Sequence, residues 1–507
     1  MTTTRQPAVP TIRPPAPDRP SSPPPVPARR PSRVTTFVRG HWLRTIPGRL
    51  RAYAAAALVA VAVLTVVLTV AVDNARDGVQ TIGHDAGPQV VATGTLYFAL
   101  SDMDAQVADI LLIGRERSLG IGYDGSLRRY EQRRAAAGLA AVQAAQLAGN
   151  DPKRRKNVQD VLDGLGRYER LVGEAMLLDR QADHEAGKLP ANVVTTYRQA
   201  TDLMKLELLP KAYNLTLDSG ATVRQSYESK RSAVLTGRAW VALTGALVLL
   251  ILLAAQIYLA RGFRRLVNPA LAAATLLTVG LVAVAFGMLS AQAGHLQRAK
   301  EDGFDSVLAL SRARAISHSA FADESRFLLD PGRADTYEQV YLDKALSVLY
   351  VEPGANKPVN LESYYTRLEE ELDDFAANPR TIRFLGFFGD EARQSATGAE
   401  SVALGQALQG YRTVLRNDRS IRELAARNDR AGAIRLRMGR DRGAIRDFDA
   451  YDAALVKLSD AHHAAFTRAI ADADGGLGGW RAVPPAGAAV IAVLVLAGLR
   501  PRLAEFR

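Results

Sequence analysis

Residues 53–72 read YAAAALVAVAVLTVVLTVAV, and this uncharged stretch decides the fold class of the protein. A helix of about 20 apolar residues crosses a hydrocarbon core of about 30 Å. Stretches of the same kind follow at 239–260, 269–291 and 482–499. A buried helix of a soluble protein would carry polar residues along one face, and these stretches have almost none. We therefore predict an all-α membrane protein with four membrane-spanning helices, the first at 52–72.

The first apolar stretch has a second interpretation, as a cleaved signal peptide. Its apolar run exceeds the length of about 7–15 residues that is typical of such a peptide, and a long segment, residues 1–51, precedes it. We therefore favour an uncleaved helix that anchors the chain.

Positive charge marks the segments that we expect in the cytoplasm. Three segments are rich in arginine and poor in acids: 1–51, 261–268 and 500–507. The first of them holds ten arginines against Asp18 alone. Basic residues that flank spanning helices stay on the cytoplasmic side of the membrane. We therefore expect a multi-pass protein of the plasma membrane with both termini inside, and with residues 73–238 and 292–481 outside.

The residues outside the spans divide into a tail and two helical regions. Residues 1–51 are rich in Pro and Arg, and their first part has nothing to build a core, so we predict a disordered N-terminal tail. In 73–238, apolar residues recur at steps of three and four, as around Val161, and the region 292–481 shows the same spacing. Each region is therefore predicted to form an extracytoplasmic antiparallel helical-bundle domain.

Sequence motifs that would indicate catalysis or metal binding are missing. We find no phosphate-binding Walker sequence, no dinucleotide-binding glycine fingerprint and no H-E-x-x-H. Cysteine is absent, which excludes disulfides, thiol catalysis and cysteine-bound metals. The four apolar stretches contain no Asp, Glu, Lys or Arg, which argues against an ion pathway. We therefore expect no enzyme activity, metal, cofactor or nucleic-acid partner.

Charged residues near the start of the second outer region are the first candidates for function. The segment 322–330, ADESRFLLD, ends a predicted helix, and two arginines precede it by about three turns. In sensor bundles, arginines on membrane-proximal helices can hold a ligand carboxylate by bidentate pairing. The candidates for ligand binding or signal relay are Arg312, Arg314, Glu324 and Arg326. The alternative is a solvated helix face on which these charges pair locally.

An aromatic segment between predicted helices is the second candidate. The stretch 383–391 reads RFLGFFGDE, and three phenylalanines flanked by glycines are unusual in an outer loop. Exposed aromatic residues often mark partner surfaces. The predicted outer docking residues are Phe384, Phe387, Phe388, Asp390 and Glu391. The alternative is that the phenylalanines close the end of the bundle.

The inner segments supply candidates for contact with a cytoplasmic partner. The connection between the second and third spans carries Arg261, Arg264 and Arg265, which also fix the topology. In the tail, Arg29-Arg30-Pro31-Ser32 followed by Thr35 and Thr36 resembles a substrate of a kinase that prefers basic residues. The predicted phosphorylation sites are Ser32, Thr35 and Thr36.

Three segments of the chain resemble the GlnX-type membrane proteins of actinobacteria. They are ADESRFLLD at 322–330, GFFGDEAR at 386–393 and GLRPRLAEFR at 498–507. The resemblance implies four spans, two outer helical domains, and a relay from an amino-acid-binding solute-binding lipoprotein outside to a cytoplasmic Ser/Thr kinase, protein kinase G. It supplies no catalytic residues.

The expected function is therefore a transmembrane signal relay. Two rival functions stay open on the sequence: a receptor that binds a small molecule directly, and a scaffold of the cell envelope that senses nothing. A homodimer is compatible with each of them.

Overall fold

The computed structural model describes residues 46–148, 151–263, 268–351, 360–379, 383–394, 399–440 and 442–504. Five of the predicted site residues lie outside these ranges, namely Ser32, Thr35, Thr36, Arg264 and Arg265.

The described chain consists almost entirely of α-helices. They are α1 Ile46–Val79, α2 Gly87–Ile113, α3 Tyr123–Leu147, α4 Pro152–Ala182, α5 Ala191–Leu203, α6 Leu209–Phe263, α7 Pro269–Arg298, α8 Asp305–Leu329, α9 Ala334–Val348, α10 Leu361–Ala377, α11 Gly386–Gln394, α12 Ala399–Ala426, α13 Arg430–Arg437, α14 Ala444–Gly476 and α15 Val483–Ala504. Three π-helical segments, Gln80–Ala86, Met204–Leu208 and Ala299–Phe304, join α1 to α2, α5 to α6 and α7 to α8. The short remaining elements are a 3₁₀ turn, Pro331–Arg333, and the strands β1 Tyr350–Val351 and β2 Phe384–Leu385.

In the part of the chain that the structure describes, four helices are long and apolar enough to cross a membrane, which fits a multi-pass membrane protein. The spanning part of α6 packs against α1 and α7, and α15 packs against α1 and α7. Small residues bring these helices close together, since a Cβ placed on Gly237 of α6 would lie 2.9 Å from the Cβ of Ala71 on α1. Polar bonds also join the spanning helices, among them one from the Gln256 amide to the Thr275 hydroxyl at 2.9 Å. Such packing through small residues is the usual basis of helix association in a bilayer.

Three of the spanning helices continue without a break into the region beyond the membrane. Continuous helical runs cover Pro47–Ile113, Ala191–Arg261 and Pro269–Leu329, with 67, 71 and 61 residues. At about 1.5 Å per residue, each run is about 90–105 Å long. Movement of the distal helices is therefore connected mechanically to the spans.

The two predicted outer bundles share one hydrophobic core. Its central pair consists of α2 from the first region and α8 from the second, and both helices are buried over most of their length. The core cluster includes residues of both regions, such as Leu100 and Leu111 of the first and Leu328 and Leu458 of the second. We call the combined structure the helical body.

The aromatic segment was predicted to be a loop, and the structure shows a strand followed by a helix. Phe384 pairs with Val351 and Leu385 with Tyr350 in a two-residue antiparallel ladder. Gly386 then begins α11 at φ 80°, and a Cβ there would lie 2.8 Å from the carbonyl oxygen of Ser347. Contacts with residues about 35 positions earlier in the chain therefore determine the strand and the start of α11. Local sequence periodicity does not reveal such contacts.

Candidate functional site

A buried arginine joins the two halves of the helical body. Arg326 of α8 is 1% exposed, and its guanidinium donates to Asp104 of α2 and, at 2.5 Å, to Asp323. Its Nε donates to the Tyr197 hydroxyl at 3.1 Å, and Asp104 also accepts from Tyr168 at 3.0 Å. Burial costs a charge its hydration, so such a group persists only with close partners.

Two lysines complete this cluster at Asp323. Lys205 and Lys344 both donate to its carboxylate, and Lys344 also donates to the Ser319 hydroxyl at 2.7 Å. Burial lowers the pKa of Lys344 to about 7, because the attraction of Asp323 does not fully offset the loss of hydration. Burial likewise lowers the pKa of Lys205. The cluster thus contains more cations than carboxylates.

A histidine bridges the halves at a second point. The His318 ring of α8 contacts Asp102 of α2 at 3.2 Å and Asp452 of α14 at 2.9 Å. Burial alone would lower the pKa of His318, but the two carboxylates outweigh it and raise the pKa to about 9. Arg314 is fully engaged here, since it donates to both oxygens of Asp452 at 2.6 and 2.7 Å. Arg133 of α3 donates to Asp102 at 2.5 Å.

Glu324 lies in a third buried group. Arg437 of α13 donates to Asp109 of α2 at 3.0 Å, and its Nε lies 3.3 Å from the Glu324 carboxylate. The arginine also stacks over the Phe321 ring at 3.5 Å. Burial, together with the charge of Asp418, raises the pKa of Glu324 well above its ordinary value. The solvated helix face that was the alternative for this segment is therefore wrong, because Glu324 and Arg326 are each only 1% exposed.

Arg312 lies apart from these groups and lines a polar pocket of about 400 Å³. Helices α6, α8 and α11 and the π segment before α8 enclose it. The charged residues in its lining are Arg224, Lys300, Asp305, Arg312, Asp390, Glu391 and Arg393. Arg312 is half-buried, and its guanidinium lies 5.5 Å from the centre of the Tyr213 ring.

The structure separates the aromatic docking residues that were predicted from the sequence. Phe384 and Phe388 are 1% and 0% exposed and belong to the core, so the expectation that they are surface residues is wrong. Phe388 packs between the rings of Tyr411 and Tyr451. By contrast, Phe387 lines the polar pocket.

Two acids of the same segment also line the pocket, and both have basic partners. Glu391 is buried and contacts His462 of α14 at 2.6 Å, while Asp390 is exposed and pairs with Arg393. The pocket thus brings together residues from both groups that the sequence singled out, Arg312 and the acidic end of the aromatic segment.

A larger cavity, of about 600 Å³, lies nearer the spans. Its mostly apolar lining includes Gly83 and Phe304, from the π segments that follow the first and third spans, together with Val91 and Phe466. None of the residues that were singled out from the sequence lies there.

Sequence reasoning missed the three buried carboxylates of α2, Asp102, Asp104 and Asp109. Their signal is the motif DMDAQVAD at 102–109, which places charges inside the otherwise apolar run LYFALS…ILLI. Within the described residues, no group of three or more His, Cys, Asp or Glu side chains is placed to hold a metal ion.

Residues 78–228 match the family model of the actinobacterial sensor domain. No curated protein and no solved structure matches the chain. The matched region begins at the end of α1, includes α2, α3, α4 and α5, and ends inside α6. It therefore includes Asp102, Asp104 and Asp109, Lys205 of the Asp323 cluster, and Arg224 of the polar pocket. The match supports a signal-sensing protein of actinobacterial type.

Proposed function

We propose that the protein is a transmembrane signal relay with its helical body outside the cytoplasm. The body responds to an amino-acid-binding solute-binding lipoprotein, and the inner segments control a cytoplasmic Ser/Thr kinase of the protein kinase G type. The observation that carries the proposal is the place of the matched sensor region, whose last helix continues through the second span to Phe263.

Two features support transmission through the body. The continuous helical runs that contain the first three spans also contain α2, α6 and α8 of the body. Buried ion pairs join α2 and α8, so that a change in one half alters the partners of charges in the other. Packed helices and ion-pair networks of this kind carry coupling between distant sites when they have two discrete arrangements.

The orientation is part of the proposal and rests on charge. The three arginine-rich segments flank the spans, and such segments stay in the cytoplasm. Arg261, at the end of α6, is exposed. A phosphate on Ser32, Thr35 or Thr36 would add a charge of about −1.5 to −2 and would weaken attraction of the tail to an anionic membrane.

The inner half is tested by capture of the kinase on detergent-solubilised protein. The double variant Arg264→Gln, Arg265→Gln keeps Arg261, which maintains the orientation. It should abolish capture of the kinase. The matched control removes the same charge from two exposed arginines of the body, Arg128 and Arg435, and should leave capture unchanged. Normal capture by both the inner variant and a protein lacking residues 1–33 would remove the inner half of the proposal.

A further inference from the structure

The acids that line the polar pocket are already occupied. The pairs are Lys300 with Asp305 at 2.7 Å, Arg393 with Asp390 at 2.5 Å, and His462 with Glu391 at 2.6 Å. The carboxylate of Glu391 and the carbonyl oxygen of Asp302 outweigh burial and raise the pKa of His462, which favours the protonated ring. None of the three acids is therefore left to balance a further cation.

Two arginines in the lining have no carboxylate partner among the described residues, Arg224 on α6 and Arg312 on α8. The Nε of Arg312 is buried and lacks a hydrogen-bond partner there. Burial lowers the pKa of Arg312, and the nearby charge of Arg224 lowers it further. An arginine nevertheless stays charged in a protein, so the pocket carries positive charge that no carboxylate of the described residues pairs with.

We propose that the polar pocket binds a small organic acid whose carboxylate pairs with Arg312 and Arg224. A guanidinium offers two parallel N–H donors that match the two oxygens of a carboxylate. A volume of about 400 Å³ accommodates a molecule with a few carbon atoms and its water. Because the lining also contains Asp305, Asp390 and Glu391, the positive charge of the pocket is limited, which favours a singly charged carboxylate over a phosphate dianion.

Such a ligand would connect two helices that lead to different spans. Arg224 lies on α6, which continues into the second span, and Arg312 lies on α8, which continues through a π segment to the third. A carboxylate between them removes the repulsion of the two guanidinium groups and favours their close approach. The inference goes beyond the proposed relay, because ligand binding to purified protein does not depend on a kinase or on a solute-binding protein.

The test is ligand-dependent melting of the full chain in detergent at constant ionic strength. Acetate, propionate and lactate are the singly charged carboxylate probes, with propionamide as the neutral analogue and inorganic phosphate as the competing anion. We expect at least one carboxylate to raise the melting temperature and to bind in titration calorimetry, while propionamide and phosphate do not. Arg312→Gln and Arg224→Gln should each weaken that binding at least tenfold.

Arg128→Gln is the matched control, since it removes the same charge from an exposed position of α3 outside the pocket. It should bind the carboxylate as the unaltered protein does. Three results would overturn the proposal: no response to any carboxylate, protection by phosphate alone, or binding that Arg312→Gln and Arg224→Gln leave intact. Each variant is first checked for an unchanged helical circular dichroism spectrum. Arg312→Lys keeps the charge and should retain part of the affinity that Arg312→Gln loses.

Discussion

Two cations of the central cluster differ in what they neutralise. Arg326 is the cation that contacts Asp104, whose other partners are the uncharged hydroxyls of Tyr168 and Thr201. Lys344 contacts Asp323, which Lys205 and Arg326 also neutralise. Loss of the first cation leaves the buried carboxylate of Asp104 without a directly bonded cation, whereas loss of the second leaves Asp323 with two.

We therefore predict opposite outcomes for two similar substitutions. Arg326→Met should lower the free energy of unfolding by about 3–5 kcal/mol, the range found when one member of a buried pair is removed. Lys344→Met should change it by no more than about 1 kcal/mol, because methionine retains the packing of the side chain and two cations still face Asp323. Melting of both variants in detergent at pH 7 measures the contrast, and equal losses would contradict it.

Protonation of His318 should stabilise the folded protein. Its pKa is raised from 6.5 to about 9 in the folded protein, so its protonation stabilises the fold fully below about pH 6.5. That contribution, roughly 3 kcal/mol, is lost as the pH rises through about 9. The difference in melting temperature between the unaltered protein and His318→Gln should therefore shrink from pH 6.5 to pH 10. Lys344 titrates in the same window but is present in both proteins, so a difference that stays constant across this range would refute the assignment.

The sequence indicated the charged segment around Arg326 but not its environment. Spacing along α8 placed Asp323 and Arg326 one turn apart, and they do form a pair. Whether such a pair faces water depends on Asp104, more than two hundred residues earlier in the chain. No local periodicity contains that information. For the same reason the sequence did not decide whether Phe388 docks a partner or closes the bundle, and the structure buries it in the core.

At the scale of elements, each half of the body has a π-helical segment shortly after a span. A π-helical segment follows the first span at Gln80 and the third at Ala299, 219 residues apart. The short repeat Ala-Leu-Ser, at 99–101 and 309–311, recurs at 210 residues and is not in register with it. A π-helical segment within an α-helix has a wider turn than its neighbours, and such segments often lie at functional sites. Both segments lie against α14, through Ile470 near Gly83 and Phe466 near Gly303.

The approach of α14 to the second π segment requires glycine at 303. A Cβ there would lie 2.8 Å from the Phe466 Cα, and backbone cannot turn away as a side chain can. Gly303→Ala should therefore destabilise the protein by about 1–3 kcal/mol. Gly294→Ala, also within the run from the third span, meets nothing within 4 Å and should stabilise by roughly 0.5–1 kcal/mol. Thermal melting of the two variants tests this, and a tolerated alanine at 303 would show that the close contact is absent.

Helix existence was the most predictable part of the fold. The apolar spans and the end of the predicted helix at 322–330 agree with the structure to within a few residues, because those signals are local. The pairing of β1 with β2 and the start of α11 at Gly386 are fixed by partners distant in sequence, and they were not predicted. The shared core of the two outer regions escaped prediction for the same reason.

At the scale of the whole molecule, the orientation proposed from the arginine-rich segments has a direct test. The chain has no native cysteine, so single cysteines report topology cleanly. Ser229 and Ser420 are exposed, one in each half of the body, and Ser229→Cys and Ser420→Cys should react with an impermeant maleimide in intact cells. Ser32→Cys should react only after lysis. Labelling of position 32 in intact cells would reverse the orientation and with it the assignment of inner and outer partners.

The contact between α2 and α8 allows a test of the whole assembly. A Cβ built on Gly94 lies 3.5 Å from the Cβ of Ser311, which is within the range of a disulfide. The variant Gly94→Cys, Ser311→Cys should therefore form an intramolecular disulfide on mild oxidation, seen as a mobility shift that each single variant lacks. Failure to cross-link would contradict the packing of the two halves.

The same cross-link distinguishes a relay from a rigid scaffold. If the signal travels as movement of α2 against α8, fixing the two helices should hold kinase capture at one level, whether or not the outer solute-binding protein carries its amino acid. Reduction of the bond in the same sample should restore the difference, which serves as the internal control for folding. A cross-linked protein that still responds would place the moving element elsewhere, in α6 or α14, because the halves could then transmit the signal without changing their central contact.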